Sequence, residues 1–311
     1  MATEVEMKEA QDEMITTRDL IRWAVSQFNK ENLVYGHGTD NAWDEAVNLI
    51  LSSVHLPPDI DVNVLDAKLS YSERVCIVER IQKRVVDRIP VAYLVKEAWF
   101  AGLNFYVDER VLIPRSPIAE LIEDEFSPWV EETHVESILD LGTGSGCIAI
   151  GCALTFPQAK VDAVDYSDNA IEVAKINVAR FGLEDSVEVI KSDLFSELGN
   201  KQYDIIVSNP PYVSLEEYNT LPSEYHFEPE MALVSKENGL QIVKRILSQA
   251  EQHLSDSGIL IVEVGYSQGY VEEAFPDIPF TWLQFENGGE GVFLLTKDEL
   301  KEFKQQLSRT A

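Results

Sequence analysis

Basic residues are scarce in this chain: 25 Lys and Arg stand against 54 Asp and Glu among 311 residues, a formal charge of −29. The acidity runs along the whole sequence rather than gathering in a tail. Affinity for nucleic acid comes largely from Lys and Arg that neutralise phosphates, so no stable nucleic-acid binding is expected. A basic protein is the natural partner instead. Cysteine is scarce too. Cys76, Cys147 and Cys152 show no C-x-x-C spacing, and an odd number argues against a secreted disulfide framework. Long apolar runs are absent: nothing approaches the roughly eighteen residues of a membrane-spanning helix, and residues 1–13 are acidic rather than basic-then-apolar like a leader. A cytoplasmic protein without membrane contact is expected, and no metal-ligand set is expected either.

What is present is ordinary globular material. Hydrophobic residues make up 45% of the chain, and the length suits one large and one smaller domain. From residue 14 to about 89 the apolar positions recur at three-to-four spacing, as in Leu20, Ile21, Ala24, Val25 and Phe28, then Ala46, Leu49, Ile50 and Val54. The last such face carries Val75, Val78, Ile81 and Val85, and Pro90 ends it. Residues 1–90 are therefore predicted to be a small helical domain. The pattern then shortens around Trp99, Phe100, Leu103, Phe105, Val107, Val111 and Ile113, with Gly102 and Asp108-Glu109 as turns. Residues 91–117 are predicted to be a β-hairpin linker, and 121–129 a helix leading into a third region, 118–311.

In that region strand and helix patterns alternate, which predicts a mostly parallel sheet with helices on both faces. Strands are predicted at 137–141, 161–164, 187–190, 203–208 and 258–264, and helices at 148–155, 169–181 and 240–254. Residues 280–285 and 291–296 read as two further strands joined by Asn287-Gly288-Gly289. So short a connection forces them antiparallel, because a parallel crossover needs about a dozen residues or more.

Leu139-Asp140-Leu141-Gly142-Thr143-Gly144-Ser145-Gly146 places a glycine-rich turn after a strand and before a helix. Glycine lets the backbone turn tightly and approach a ligand where a Cβ would obstruct. The spacing departs from the dinucleotide G-x-G-x-x-G, whose third glycine would fall at Cys147. Asp165, at the end of the second strand, stands where an acid can accept hydrogen bonds from both ribose hydroxyls; the alternative is a cap on the helix near Asn169. Asp193 is expected to reach an adenine amino group, with Leu194 lining that pocket.

Asn209-Pro210-Pro211-Tyr212 follows the strand 203–208 directly. Two successive prolines cannot continue a helix, so they fix a rigid turn. Such a turn suits methyl transfer to a planar amide or amino nitrogen, whose delocalised lone pair must be aimed at the methyl in line. The Asn209 side-chain oxygen and the Pro210 carbonyl can accept both N–H bonds and stabilise charge developing on nitrogen. Tyr212 can lie against the planar group, and no strong general base is required.

These motifs carry a resemblance over nearly the whole length. The chain resembles the protein-(glutamine-N5) methyltransferases through the helical N-terminal region, Pro90-Val91-Ala92-Tyr93-Leu94, the hairpin, Ile113-Pro114-Arg115, the glycine turn, Asn209 to Tyr212, and Glu228-Pro229-x-x-Ala232-Leu233. Tyr35-Gly36-His37-Gly38-Thr39-Asp40-Asn41-Ala42-Trp43, Arg115-Ser116-Pro117 and Tyr225-His226-Phe227-Glu228 are similar to the branch acting on the third protein of the large ribosomal subunit. The release-factor branch usually has Pro where Ser116 stands. Ser235-Lys236-Glu237-Asn238-Gly239 departs from a more glycine-rich family stretch.

The resemblance implies an α/β, class I (Rossmann-like) methyltransferase sheet and S-adenosylmethionine as cofactor. It implies cofactor contacts from Asp140, Gly142, Thr143, Gly144, Ser145, Gly146, Asp165, Asp193, Leu194 and Asn209. Asn209, Pro210 and Tyr212 would be catalytic, and Asn209, Pro210, Pro211, Tyr212, Arg115 and Glu228 would touch substrate. The substrate would be a basic ribosomal protein in its free form, recognised by the helical domain. Two alternatives stand beside it: the same chemistry on release factors, or adenine-N6 methylation of nucleic acid, which uses the same turn. A non-catalytic cofactor-binding regulator is a third reading, disfavoured by the intact Asn209 to Tyr212 turn. Oligomeric state is not legible.

Overall fold

The computed structural model describes residues 3–131 and 134–310, side chains from 308 on excepted. By contacts the chain divides into two compact units. The first comprises Met1–Ala98, Val107–Glu109 and Pro222–Phe227; the second comprises Trp99–Tyr106, Arg110–Leu221 and Glu228–Ala311.

The first unit is helical. Helices Thr17–Lys30, Ala42–Ser53 and Tyr71–Gln82 bury Leu20, Ile21, Ala24, Phe28, Ala46, Leu49, Ile50, Val78 and Ile81, the periodic apolar positions of the sequence. Ile77 takes the fully buried place expected of Val75, which is half-buried. An additional helix, Glu4–Glu13, precedes them. Thr3 and Glu6 form its capping box, and Ala10 is its one buried residue, so it carries no apolar stripe for periodicity to find. Residues Val91–Val95 form a short helix that contributes Val91 to the same core.

The second unit begins in a hairpin, whose strand β1 (Glu97–Phe100) carries the chain across from the first unit to β2 (Leu103–Tyr106). Ala101 and Gly102 both have positive φ, 47° and 68°, as a two-residue hairpin turn matched to strand twist requires. The helix that follows is Ile118–Glu123, shorter and earlier than the 121–129 expected. Its Glu120 carboxylate accepts from the Glu286 and Asn287 backbone N–H groups and so pins the Asn287-Gly288-Gly289 turn.

The main sheet has seven strands: β3 (Ser137–Leu141), β4 (Lys160–Asp165), β5 (Val187–Lys191), β6 (Tyr203–Ser208), β7 (Leu254–Glu263), β8 (Thr281–Trp282) and β9 (Val292–Thr296). Their spatial order is β5-β4-β3-β6-β7-β9-β8, with β9 antiparallel to β7 and β8 antiparallel to β9. This is the parallel sheet closed by an antiparallel hairpin expected of the class I methyltransferase fold. β8 is shorter than the predicted 280–285. Helices Cys147–Thr155 and Asp168–Phe181 bury one face of the sheet, and Gln241–His253 buries the other, giving two separate apolar layers. Successive strands run outward from β3 to β5, then restart at β6 on the other side of β3. Ligands of open α/β sheets bind at the carboxyl ends of the strands at such a reversal.

Candidate active site

A cavity of about 680 Å³ opens at that reversal, within the range of roughly 300–1,000 Å³ typical of small-molecule sites. The hydroxyl of Ser208 at the end of β6 donates to the Leu141 carbonyl at the end of β3, 2.7 Å away, and ties the two strand ends together. Two loops leave from this point. The glycine turn continues β3, and the Asn209-Pro210-Pro211-Tyr212 turn continues β6.

In the glycine turn Gly142, Gly144 and Gly146 have φ of 75°, 55° and 83°, left-handed backbone that L side chains rarely adopt. A Cβ at Gly144 would meet no protein atom within 4 Å. The space in front of that backbone is therefore open to a ligand, and both Gly142 and Gly144 line the cavity. The Gly142 and Thr143 N–H groups donate to the Val164 carbonyl at 2.8 and 2.9 Å, which presses the turn onto β4. From the far side Asn177, fully buried, donates to the Ser145 carbonyl at 2.8 Å while pairing with both backbone groups of Tyr106.

Asp165 sits at the mouth of the turn. One carboxylate oxygen accepts from Gly144 N at 2.9 Å and the other from Ser167 N at 2.8 Å. Burial pushes its carboxyl above the ordinary value, and the backbone N–H groups of Ser167, Gly144 and Tyr166 oppose that rise. Asp165 lines the cavity, and it also braces the start of the helix whose N-cap is Ser167. Asp193 and Leu194 also line the cavity. Asp193 is paired with Arg245, a neighbour at 2.9 Å that the sequence did not single out.

Asp140 is placed differently. It is fully buried and absent from the cavity wall; Oδ2 accepts from the Thr143 hydroxyl at 2.6 Å and from Ala149 N at 3.1 Å, while Oδ1 has no partner. Burial is the main cause that pushes its carboxyl up to about 7. It fastens the glycine turn to the following helix from inside. Thr143, Ser145 and Gly146 likewise belong to the frame of the turn rather than to the cavity wall.

Asn209, Pro210 and Pro211 line the cavity directly. Tyr212 lies behind them, its ring on the backbone of Gly265: a Cβ at Gly265 would come within 2.8 Å of Tyr212 Cε2. The Tyr212 carbonyl accepts from the Ser267 hydroxyl at 2.8 Å, and a Cβ at Gly239 would come within 2.0 Å of that carbonyl. The Tyr212 hydroxyl donates to Oε1 of Glu263, whose Oε2 accepts from Ser116. Glu263 was not among the residues expected. Its signal was legible nonetheless: a carboxylate closes the apolar run Ile259-Leu260-Ile261-Val262 at the carboxyl end of a central strand.

Arg115 and Glu228 are each other's partners. The guanidinium makes a fork to both carboxylate oxygens, at 2.6 and 2.9 Å, and Oε1 of Glu228 also accepts from Ile113 N. The Glu228 side chain is buried completely. The pair ties the segment that supplies Arg110, Val111 and Leu112 to the cavity to the segment that supplies Pro229, Glu230, Met231 and Ala232. Neither residue lines the cavity itself.

A family model described as methyltransferase small domain matches residues 126–222. A ribosomal protein uL3 glutamine methyltransferase of Francisella tularensis is 48% identical over 295 residues, 94% of this chain and 94% of the relative. A second, of Bordetella pertussis, is 48% identical over 289 residues, 93% of this chain and 97% of the relative. Among solved structures, a human methyltransferase 10 domain containing protein is similar at 20% identity with a TM-score of 0.46, over 63% of this chain and 89% of that one.

Proposed function

The chain belongs to the ribosomal protein uL3 glutamine methyltransferase family, and from that premise we propose that it transfers a methyl group from S-adenosylmethionine to the side-chain amide nitrogen of a glutamine in ribosomal protein uL3. The observation that carries the reading is the convergence on one cavity of a glycine turn with open left-handed backbone and an Asn-Pro-Pro turn. The residues present fit the cofactor. Gly142 and Gly144 leave room for its close approach, and Asp165 has carboxylate lone pairs left for ribose hydroxyls beyond the two backbone donors it already serves. Asp193 and Leu194 line the same cavity and are assigned to the base. Bound there, S-adenosylmethionine supplies an electrophilic methyl on a sulfonium.

The chain's own residues then have one task, to present nitrogen correctly. An amide nitrogen is a poor nucleophile because its lone pair is delocalised. Asn209 lines the cavity and has no side-chain hydrogen bond among the described residues, which leaves its oxygen for a substrate N–H. With the Pro210 carbonyl as second acceptor, both N–H bonds of the glutamine amide are held and the developing charge is stabilised. Arg115 and Glu228 act by fixing the cavity walls, a change from the substrate contact expected of them.

The helical unit is assigned to recognition of the substrate protein, because the residues the chemistry needs all lie in the second unit. Free uL3, rather than assembled subunits, is the proposed target. A basic protein meets a chain of charge −29 with complementary sign, which raises the association rate at low salt. The test is a competition assay with equal concentrations of free uL3 and a release factor, read by intact mass. Modification of one uL3 glutamine first is the expected result; preference for the release factor would move the substrate to the other branch. In the same assay Asn209→Ala should lose about two orders of magnitude in turnover, by analogy with deletion of one transition-state hydrogen bond. Near-normal turnover at saturating substrate would end the lone-pair mechanism.

A further inference from the structure

Tyr266 is 88% exposed, the barest large apolar or aromatic side chain among the described residues. Single exposed hydrophobic side chains are common and need no explanation. What distinguishes this one is its mount. It occupies the middle of the short helical turn Gly265–Ser267, immediately after β7, and that turn is held on two sides. Towards the catalytic turn, Gly265 lies under the Tyr212 ring and the Ser267 hydroxyl donates to the Tyr212 carbonyl. Towards the terminal hairpin, Val264 N and Gly265 N both donate to the Gly291 carbonyl, and a Cβ at Gly291 would come within 2.0 Å of Gly265 O. Ser267 N closes the turn on Val264 O at 2.9 Å.

We propose that Tyr266 is a contact for the substrate protein, its ring packing against the polypeptide segment beside the target glutamine. This rests on the reading of Asn209 to Tyr212 as the acceptor site. Gly265–Ser267 is held against Tyr212, the residue that follows Pro211 of the cavity wall, so a segment that delivers its side chain to the Asn209–Pro211 wall has this turn as a neighbour. A tyrosine already fixed in place loses little further freedom on binding, and its flat amphipathic ring suits planar peptide groups. Tyr270, four residues on in the helix Gln268–Ala274, is a second exposed aromatic, at 40%.

The experiment uses the full-length protein with Tyr266→Ala and Tyr266→Phe, free uL3 as ligand and substrate, and two readouts: equilibrium binding by fluorescence anisotropy and steady-state methylation. Tyr266→Ala is expected to weaken uL3 binding and raise KM by about ten-fold, as for the energetically important minority of interface residues, in which Tyr is enriched, with kcat and S-adenosylmethionine affinity within about two-fold. Tyr266→Phe should stay within about two-fold of the parent in every quantity, since the ring face makes the contact. Unchanged binding in the Ala variant, a loss confined to kcat, or a Phe variant as weak as Ala would overturn the proposal. The binding readout separates the two readings: uL3 that binds the parent but is never methylated refutes the chemistry, and Tyr266→Ala still decides the contact. A parent that does not bind uL3 refutes the contact and uL3 as the substrate, and leaves the glutamine chemistry to be decided with the release factor.

Discussion

The Tyr212 hydroxyl donates to Oε1 of Glu263 across 2.9 Å, and the other oxygen of that carboxylate is taken by Ser116. Burial first, then the neighbouring Glu263 charge, push the Tyr212 phenol well above its ordinary value, so it stays a donor throughout the working range. Glu263 is itself pushed up by burial, against the hydrogen bonds from Ser116 and Tyr212 and the charge of Arg115. The carboxylate thus orients Tyr212 from behind while Gly265 supports its ring.

Two substitutions read this pair. Tyr212→Phe should remove one hydrogen bond and leave half of the carboxylate unpaired; Glu263→Ala should leave two buried hydroxyls without an acceptor, at about 1–3 kcal/mol each. Because they share the interaction, the double variant should cost less than the sum of the singles in urea unfolding. Strict additivity would mean that the bond contributes nothing.

Asp165→Asn should weaken S-adenosylmethionine binding by about 1.5–3 kcal/mol, the usual range for a hydrogen bond to a charged group. The structure adds a second consequence. An asparagine has one acceptor oxygen, so it cannot serve both Gly144 N and Ser167 N as the two carboxylate oxygens do. The ligand-free variant should therefore also melt a few degrees lower, on the order of 1 kcal/mol. Calorimetric affinity equal to the parent's would remove Asp165 from the ribose.

How much of this was legible in the sequence follows from distance along the chain. Strands β3 to β7 announced themselves by apolar runs, and both functional turns by local chemistry that needs no partner: glycines at left-handed positions and a double proline. The place of Asp165 on the cavity was legible because its backbone donors, Gly144 and Ser167, and its strand are within a few dozen residues. The Arg115–Glu228 fork was not, since 113 residues separate its members and each reads alone as a substrate contact. Asp140 looked like part of the cofactor turn because it is next to it; strand alternation puts its side chain inside instead. The helix Glu4–Glu13 escaped because a helix with one buried alanine has no period, although its capping box was there to be seen.

Asp140 also sets a pH dependence. Burial pushes its folded-state pKa up to about 7, well above the ordinary carboxylate range of about 4. Between these values the unfolded chain has lost its proton while the folded chain keeps it, so this residue's contribution to stability is full below about pH 4 and lost as pH rises through about 7. Asn mimics the protonated acid and does not titrate. The ligand-free Asp140→Asn variant should match the parent near pH 4.5 and become the more stable of the two by pH 8. The measurement is the difference in urea midpoints at the two pH values, in which the other 53 carboxylates cancel. A difference that does not grow with pH would show that Asp140 titrates normally.

The last prediction concerns the first unit, which closes around a buried guanidinium. Arg84 is 1% exposed; it pairs with Glu45, reaches Glu224 Oε1 at 3.4 Å and donates to the Val34 carbonyl at 2.8 Å. Arg88, in left-handed backbone at φ 63°, approaches the same Glu224 oxygen at 3.4 Å and donates to the Glu31 carbonyl. Burial pushes the Glu224 carboxyl up, but backbone N–H donors, Val34 among them, and the Arg84 charge outweigh it and hold it below the ordinary value. A buried charge left with no partner costs about 3–5 kcal/mol, one that keeps a second partner costs less, and a partly exposed pair contributes about 1 kcal/mol or less. Glu224→Gln should destabilise the protein more than Arg88→Gln, because it removes the one carboxylate shared by Arg84 and Arg88 from a buried site, while Arg88 is 29% exposed and Arg84 keeps Glu45. Glu224 also lies in Pro222–Phe227, the stretch by which the chain leaves the second unit after Tyr212 and re-enters it at Glu228. Loosening the first unit, the one proposed to recognise uL3, should lower methyl transfer to uL3 while the glycine turn, which is held by contacts within its own unit, keeps its cofactor affinity. Urea unfolding, calorimetry with S-adenosylmethionine and turnover on uL3 check the three parts. Equal destabilisation by Glu224→Gln and Arg88→Gln would show that Glu45 alone compensates the buried guanidinium.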